Sequence, residues 1–236
     1  MMTMLFDYLR EFSFISVLLR LLLAMLFGGV IGLERGRKRR AAGFRTYMLV
    51  CLGAALTMLL SQYLHRMLNT IWAGEALTID VSRISAQVIN GIGFLGAGTI
   101  IVTGRQQVKG LTTAAGLWAS ACMGIAIGAG YIECVLFAFL LILLVVRLLP
   151  AVENYIVDHS KYMNIYVEFD ALDNLGSIIN GIKALDIQIY EVEIERGEDG
   201  RSNGAVFVLR LNRRQHHTLL LLALSELECV TMIEEI

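Results

Sequence analysis

The stretch that decides the reading is residues 83–118, RISAQVINGIGFLGAGTIIVTGRQQVKGLTTAAGLW. It begins polar, turns glycine-rich, crosses a short basic loop and enters a second apolar run. Gly91, Gly93, Gly96 and Gly98 fall within eight residues. At about 100° per residue they point in four directions on a helix, so one packing face does not account for them, and each costs about 1 kcal/mol relative to alanine. In a membrane, such a run implies close helix contact on several sides or a helix that is locally unwound. Residues 91–96 also spell G-x-G-x-x-G. The dinucleotide reading fails, because residues 82–90 are not an apolar strand. The first carboxylate after the run is Glu133, far beyond the ~20-residue spacing of a ribose-binding acid.

Working outward, the chain reads as a membrane protein. Five apolar runs approach the roughly 20 residues a helix needs to cross a bilayer: 14–33, 47–64, 84–102, 111–129 and 131–149, the second being short. The net charge of −1 hides an asymmetry. Residues 1–150 carry 13 Lys/Arg against 6 Asp/Glu, and residues 151–236 carry 7 against 15. Pro150, the single proline, marks the boundary between a basic membrane bundle and an acidic, less apolar domain. Cys51, Cys122, Cys134 and Cys229 are too scattered for a disulfide framework or a metal site and read as small hydrophobes. The first thirteen residues hold Asp7, Glu11 and one base, Arg10, which is not the basic start of a secretory signal. They are expected to form a short amphipathic lead-in helix.

Charge sets the expected topology. Arg35, Arg37, Lys38, Arg39, Arg40 and Arg45 put six bases within eleven residues, and short basic loops stay cytoplasmic. Arg105 and Lys109 follow the third run, and Arg147 ends the fifth. Five crossings then place the N-terminus outside and the C-terminal domain inside, with a tight outer turn at Gly128-Ala129-Gly130. In the first run, snorkelling to the interface is the favoured expectation for Arg20 and an interior polar contact the alternative. The same run carries Ala24, Gly28, Gly32 and Gly36 at i+4 spacing, and the fourth carries Thr112, Gly116, Ser120, Gly124 and Gly128. Such stripes let helices approach closely, either on partner membrane proteins or within one chain. Arg83, Gln87 and Asn90 share one face of the third run, and Asp80 is placed to cap it. The fifth run is Leu/Val/Phe-rich and reads as lipid-facing.

Beyond Pro150, residues 153–160 read as a helical linker. Strands are expected at 164–169, 187–195, 206–212 and 230–236, helices at 172–185 and 214–227, and a turn at 196–204 (RGEDGRSNG). The order βαββαβ is the split ferredoxin-like pattern, shared by many small regulatory domains of the ACT type. The expected fold is therefore an all-α membrane bundle of five transmembrane helices (residues 1–150) plus a small α+β cytoplasmic domain (residues 151–236).

The ordered combination Gly32-Leu33-Glu34-Arg35, Ala42-Gly43-Phe44-Arg45-Thr46, Arg83-Ile84-Ser85-Ala86-Gln87, Gly91-Ile92-Gly93-Phe94-Leu95-Gly96-Ala97-Gly98 and Gly110-Leu111-Thr112-Thr113-Ala114-Ala115 resembles the MgtC/SapB family of bacterial inner-membrane proteins. The resemblance runs from about residue 20 to residue 149. It implies a link to growth under magnesium limitation and to virulence. It also implies action on other membrane proteins, the ATP synthase among them, rather than magnesium pumping.

Three function classes compete. A non-enzymatic regulator would bind partners through its small-residue faces. A transporter or channel would line a path with Arg83, Gln87, Asn90 and the glycine run. Carboxylates are scarce in the spans, however, with Glu34, Asp80 and Glu133 all near span ends, and hard cations want oxygen ligands. Carbonyls of an unwound 91–98 segment would have to substitute. An intramembrane enzyme is disfavoured: H-E-x-x-H and G-x-S-x-G are missing, and His65, His159, His216 and His217 lie at span ends or in the soluble part. No catalytic residue, metal or cofactor is expected. The polar candidates are Glu34, Arg35, Arg45, Arg83, Gln87, Asn90, Thr112 and Thr113, with a Glu34–Arg45 or Glu34–Arg83 pair anticipated. The packing candidates are Gly28, Gly32, Gly91, Gly93, Gly96, Gly98, Gly116 and Gly124. Membrane lipid, a second copy of the chain and other membrane proteins are the expected partners, and nucleic acid is not.

Overall fold

The computed structural model describes residues 2–72, 80–102, 108–158, 160–196, 203–211, 217–227 and 229–235. It divides into two compact units, Met1–Pro150 and Ala151–Ile236. The first is helical: α1 (Met2–Arg10), α2 (Phe14–Arg37), α3 (Phe44–Thr70), α4 (Val81–Ala97), α5 (Leu111–Ala129) and α6 (Ile132–Arg147). Helix α7 (Leu149–Asp158) leads out of it, with Pro150 in its first turn, where a missing amide is tolerated.

Among the described residues, four helices are long and apolar enough to cross a membrane: α2, α3, α5 and the continuous run Ile132–Val157. The second, expected to be short, is 27 residues long. The third expected run is shorter than its apolar stretch: α4 has 17 residues and stops at Ala97. Ile101–Val102 (β1) and Val108–Lys109 (β2) then pair as a small antiparallel hairpin. Gly110, at φ +103°, closes that hairpin against the Thr99 carbonyl, a backbone shape that glycine adopts without strain.

Close packing fixes how the helices run. A methyl group on Gly28 would lie 2.6 Å from the Tyr47 carbonyl, and one on Gly32 would lie 2.8 Å from the Tyr47 Cβ. Helix α2 therefore runs antiparallel to α3, backbone close to backbone. Gly116 faces the Tyr47 hydroxyl, Gly124 the Cys51 carbonyl and Gly128 the Ala55 carbonyl. Both partners climb together, so α5 runs parallel to α3. A methyl group on Gly96 of α4 would lie 3.4 Å from the Ala114 Cβ, while Ser61 of α3 bonds the Val81 carbonyl at the other end of α4. Helix α4 thus returns from the far end of α3 to the start of α5. Helix α6 buries Ile132, Val135 and Val146 and leaves Phe137, Leu140 and Leu141 exposed, the lipid-facing character expected of it.

The second unit is a four-stranded antiparallel sheet: β3 (Tyr162–Phe169), β4 (Ile187–Arg196), β5 (Asn203–Leu211) and β6 (Val230–Glu235), in the spatial order β4-β5-β3-β6. The helices are α8 (Leu175–Ala184) and α9 (His217–Ser225). The chain order is βαββαβ. Alternation in β3 and β5 puts Met163, Ile165, Val167 and Phe169 beside Ala205, Phe207, Leu209 and Leu211 on one buried face, covered by Ile178, Ile182, Leu220 and Leu224. The expected helix at 172–185 opens instead with a 3-10 turn, Leu172–Asn174. Most of the expected turn at 196–204, and His159 and His216, lie outside the described residues.

Two glycine substitutions should separate packed from open positions. Gly124→Ala forces a methyl into the Cys51 carbonyl and should lower stability by about 1–3 kcal/mol. Gly93→Ala meets nothing within 4 Å and should be neutral or stabilising by up to about 1 kcal/mol. Thermal unfolding in one detergent reads both.

Candidate functional site

The polar side chains of the membrane unit fall into three groups. The first sits where α2 ends and α5 begins. Arg35, 5% exposed, donates from Nη2 to the Thr113 hydroxyl at 2.8 Å, and the Tyr47 hydroxyl donates to the Thr113 carbonyl at 3.3 Å. Arg35 Nε has no partner among the described residues. Thr113 is buried whereas Thr112 is exposed, so the predicted threonine pair splits between core and surface. Glu34 does not reach Arg45 or Arg83 as anticipated. Its nearest cation is Lys38, one turn on at 3.9 Å, and Lys38 also donates to the Val146 carbonyl at 3.3 Å. Arg45 is exposed at the start of α3.

The second group sits at the opposite end, around Arg20. Its side chain is fully buried. Nε donates to the Leu9 carbonyl at 2.6 Å, Nη1 to the Gly128 carbonyl at 2.9 Å and to Gln62 Oε1 at 3.2 Å, and Nη2 to the Glu11 carbonyl at 3.0 Å. The expected snorkelling is thus corrected to the interior contact. A guanidinium with its donors engaged by carbonyls is stable without a carboxylate, and here it serves carbonyls where α1 ends and α5 turns into α6, sharing that of Leu9 with the Ser16 hydroxyl. Gln62 reinforces the turn through the Ala129 carbonyl at 3.3 Å, and Arg10 pairs with Glu133 at 2.6 Å, tying α1 to α6.

The third group is the outer face of α4. Asp80 caps the helix, accepting from the Ser82 amide at 2.9 Å and the Ser82 hydroxyl at 2.6 Å. Arg83, Gln87, Asn90, Gly91, Gly93, Leu95 and Gly98 are all exposed, and Phe94 is 83% exposed. Only Ser85, Ile92 and Gly96 of this helix are buried. The glycine run is neither unwound nor packed on several sides. It stays helical to Ala97, a methyl added at Gly91 or Gly93 would meet nothing within 4 Å, one at Gly96 would meet Ala114, and Gly98 terminates the helix. Of the two uses open to the small stripes, partner surfaces or packing within one chain, the structure has the second, since Gly28, Gly32, Gly116 and Gly124 all face α3.

Tyr47 and Gln62 were not among the candidates. The signal was available for Tyr47, since a tyrosine inside an apolar run must find a partner for its hydroxyl. Gln62 gave none, because its partner belongs to a distant turn. Among the described residues no three His, Cys, Asp or Glu side chains group as a metal site.

Long apolar helices around a glycine-packed core, with polar groups at both ends, define a multi-pass membrane protein. Residues 21–155 match the model of the MgtC family. The chain is 36% identical over 201 residues to an uncharacterized protein of Haemophilus influenzae, covering 85% of this chain and 80% of that one. It is 32% identical over 182 residues to the putative magnesium transporter YhiD of Escherichia coli K12, covering 77% and 81%. It is 31% identical over 186 residues to protein SapB of Bacillus subtilis, covering 76% and 78%. The chain belongs to the MgtC/SapB family.

Replacing Arg20 with Leu leaves the Glu11 and Gly128 carbonyls without their arginine donor and the Leu9 carbonyl with the Ser16 hydroxyl alone. It should reduce stability by about 3 kcal/mol or more. Arg20→Lys should recover part of this, as read by thermal unfolding. The two Ser82 hydrogen bonds, the hydroxyl's first, hold the Asp80 carboxyl below its ordinary value. Asp80 therefore steadies the start of α4 above the ordinary carboxylate pKa and stops doing so as pH falls through its lowered folded value. Hydrogen exchange at Ser82 and Arg83 should rise at acid pH in the native protein and be pH-insensitive in this respect in Asp80→Asn.

Proposed function

We propose that the protein is a non-enzymatic regulator of other membrane proteins, linked to magnesium adaptation, and that it docks them on the outer face of α4. One observation carries the reading. Gln87, Asn90, Gly91 and Gly93 lie on the exposed side of a helix flanked by apolar spans. Polar groups and bare backbone at membrane depth are expensive against lipid and favourable against another helix. The packed stripes of α2 and α5 are not available for this role, which leaves α4.

The reading includes α4 as a fifth crossing. Its 17 residues span about 25 Å at 1.5 Å per residue, near the lower limit for a bilayer. The parallel course of α3 and α5 supports it, because the link between them must return through the same thickness. The basic residues 35–45, Lys109 and Arg147 then share one side, which the charge rule makes cytoplasmic. We infer an inner-membrane location, an outside N-terminus and an inside C-terminal domain. The βαββαβ order and the β4-β5-β3-β6 sheet support an ACT-like regulatory role for that domain, with a second copy of the chain as a further partner.

A transporter is the second reading, favoured by the name of the Escherichia coli relative. Within one chain the polar face of α4 looks outward, so a path lined by Arg83, Gln87 and Asn90 would need a second copy to close it.

Photocrosslinkers at Asn90 and at Ser120 test the proposal in native membranes. Asn90 should capture specific membrane proteins, capture should be lost in Gly91→Leu, and Ser120, buried against α3, should capture none. Equal capture at both sites would refute the docking face. In proteoliposomes the protein should show no flux of magnesium, potassium or protons; a flux abolished by Asn90→Leu would establish the transporter instead.

A further inference from the structure

A cleft of about 650 Å³ lies between α2 and α6. Its floor is apolar, with Val30 and Leu33 on one side and Leu140 and Leu144 on the other. Its rim carries Arg37 and Arg147, the last residues of α2 and α6. The two helix ends are neighbours, as the Lys38 bond to the Val146 carbonyl requires. Both guanidinium groups are exposed and bond to no other described residue. Glu34 also lines the cleft, but Lys38 stands 3.9 Å from it, so these four side chains leave an excess of positive charge.

We propose that this cleft binds an anionic phospholipid of the surrounding bilayer, its phosphate held by Arg37 and Arg147 and an acyl chain laid along the leucine floor. Guanidinium groups suit phosphate oxygens because their donors form a planar fork. Basic pockets between membrane helices at the interface take lipid headgroups for this reason. The floor decides between a lipid and a free phosphate: it offers an inorganic ion nothing, and an acyl chain a continuous apolar track. One term opposes binding. The cleft mouth lies at two helix C-termini, whose carbonyl ends repel an anion. The attraction therefore falls on the two arginines, and the site should fail without them.

Purified full-length protein is titrated with phosphatidylglycerol, phosphatidylcholine and inorganic phosphate, reading bound lipid by native mass spectrometry and unfolding temperature in parallel. The wild type should retain phosphatidylglycerol and be stabilised by it more than by phosphatidylcholine. In Arg37→Gln/Arg147→Gln, affinity should fall by on the order of tenfold or more for the two charged contacts. Leu144→Trp keeps both arginines but fills the floor, and should also lose the lipid. Arg66→Gln, near the other end of the bundle, should keep it. The proposal is overturned if the double variant holds phosphatidylglycerol as well as the wild type does, if phosphatidylcholine binds equally, or if inorganic phosphate reproduces the stabilisation.

Discussion

Backbone contact between α3 and its two neighbours is the constraint on which the membrane unit depends. Gly28 and Gly32 from α2 and Gly116, Gly124 and Gly128 from α5 all close on α3 between Tyr47 and Met58. Lipid tails are as apolar as leucine, so expulsion of apolar surface from water does not drive these helices together. Dispersion at short range and buried hydrogen bonds do. Glycine makes the short range possible, and Tyr47, wholly buried between the two stripes, fills the groove they leave. Once α2 and α5 are seated on α3 and against each other, the polar ends follow. Arg35 meets Thr113 at one end, and Arg20 gathers the Leu9, Glu11 and Gly128 carbonyls at the other.

The two arginines do different work. Arg20 satisfies carbonyls that chain turns would otherwise leave bare in a dry setting, so it belongs to the fold. Arg35 is tied by one short bond while its Nε remains unpartnered among the described residues, so it is held less completely. Neither faces α4. The outer face of α4 is a separate feature, polar without being used by the core.

Much of this was legible in the residues. Apolar length marked the long helices, and alternation marked the strands, because both are periodic and local. Asp80 as a cap and the lipid-facing α6 were legible for the same reason. What failed was partner choice. The i+4 glycine stripes announce close approach but not which helix approaches, and here it is α3 of the same chain. Glu34 chose Lys38 over Arg45 because a helical neighbour one turn away costs less ordering than a distant one. Arg20 looked like a snorkelling side chain because the carbonyls that hold it, from residues 9, 11 and 128, carry no signal in the sequence. The glycine run misled most. Four glycines suggested a break or close contact on several sides, yet the helix carries through to Ala97, and Gly91 and Gly93 leave its outer surface bare instead.

In the proposed topology α4 crosses the bilayer and shows that bare face to whatever lies beside it. Cysteine labelling in intact cells tests it most directly. Single cysteines at Asn69, near the end of α3, and at Lys109, just before α5, are introduced after the native four are replaced, and a membrane-impermeant maleimide is applied from outside. Residue 69 should be labelled in intact cells, and residue 109 only after the membrane is opened. Labelling of both from the same side would place α4 on the surface of the membrane and contradict it.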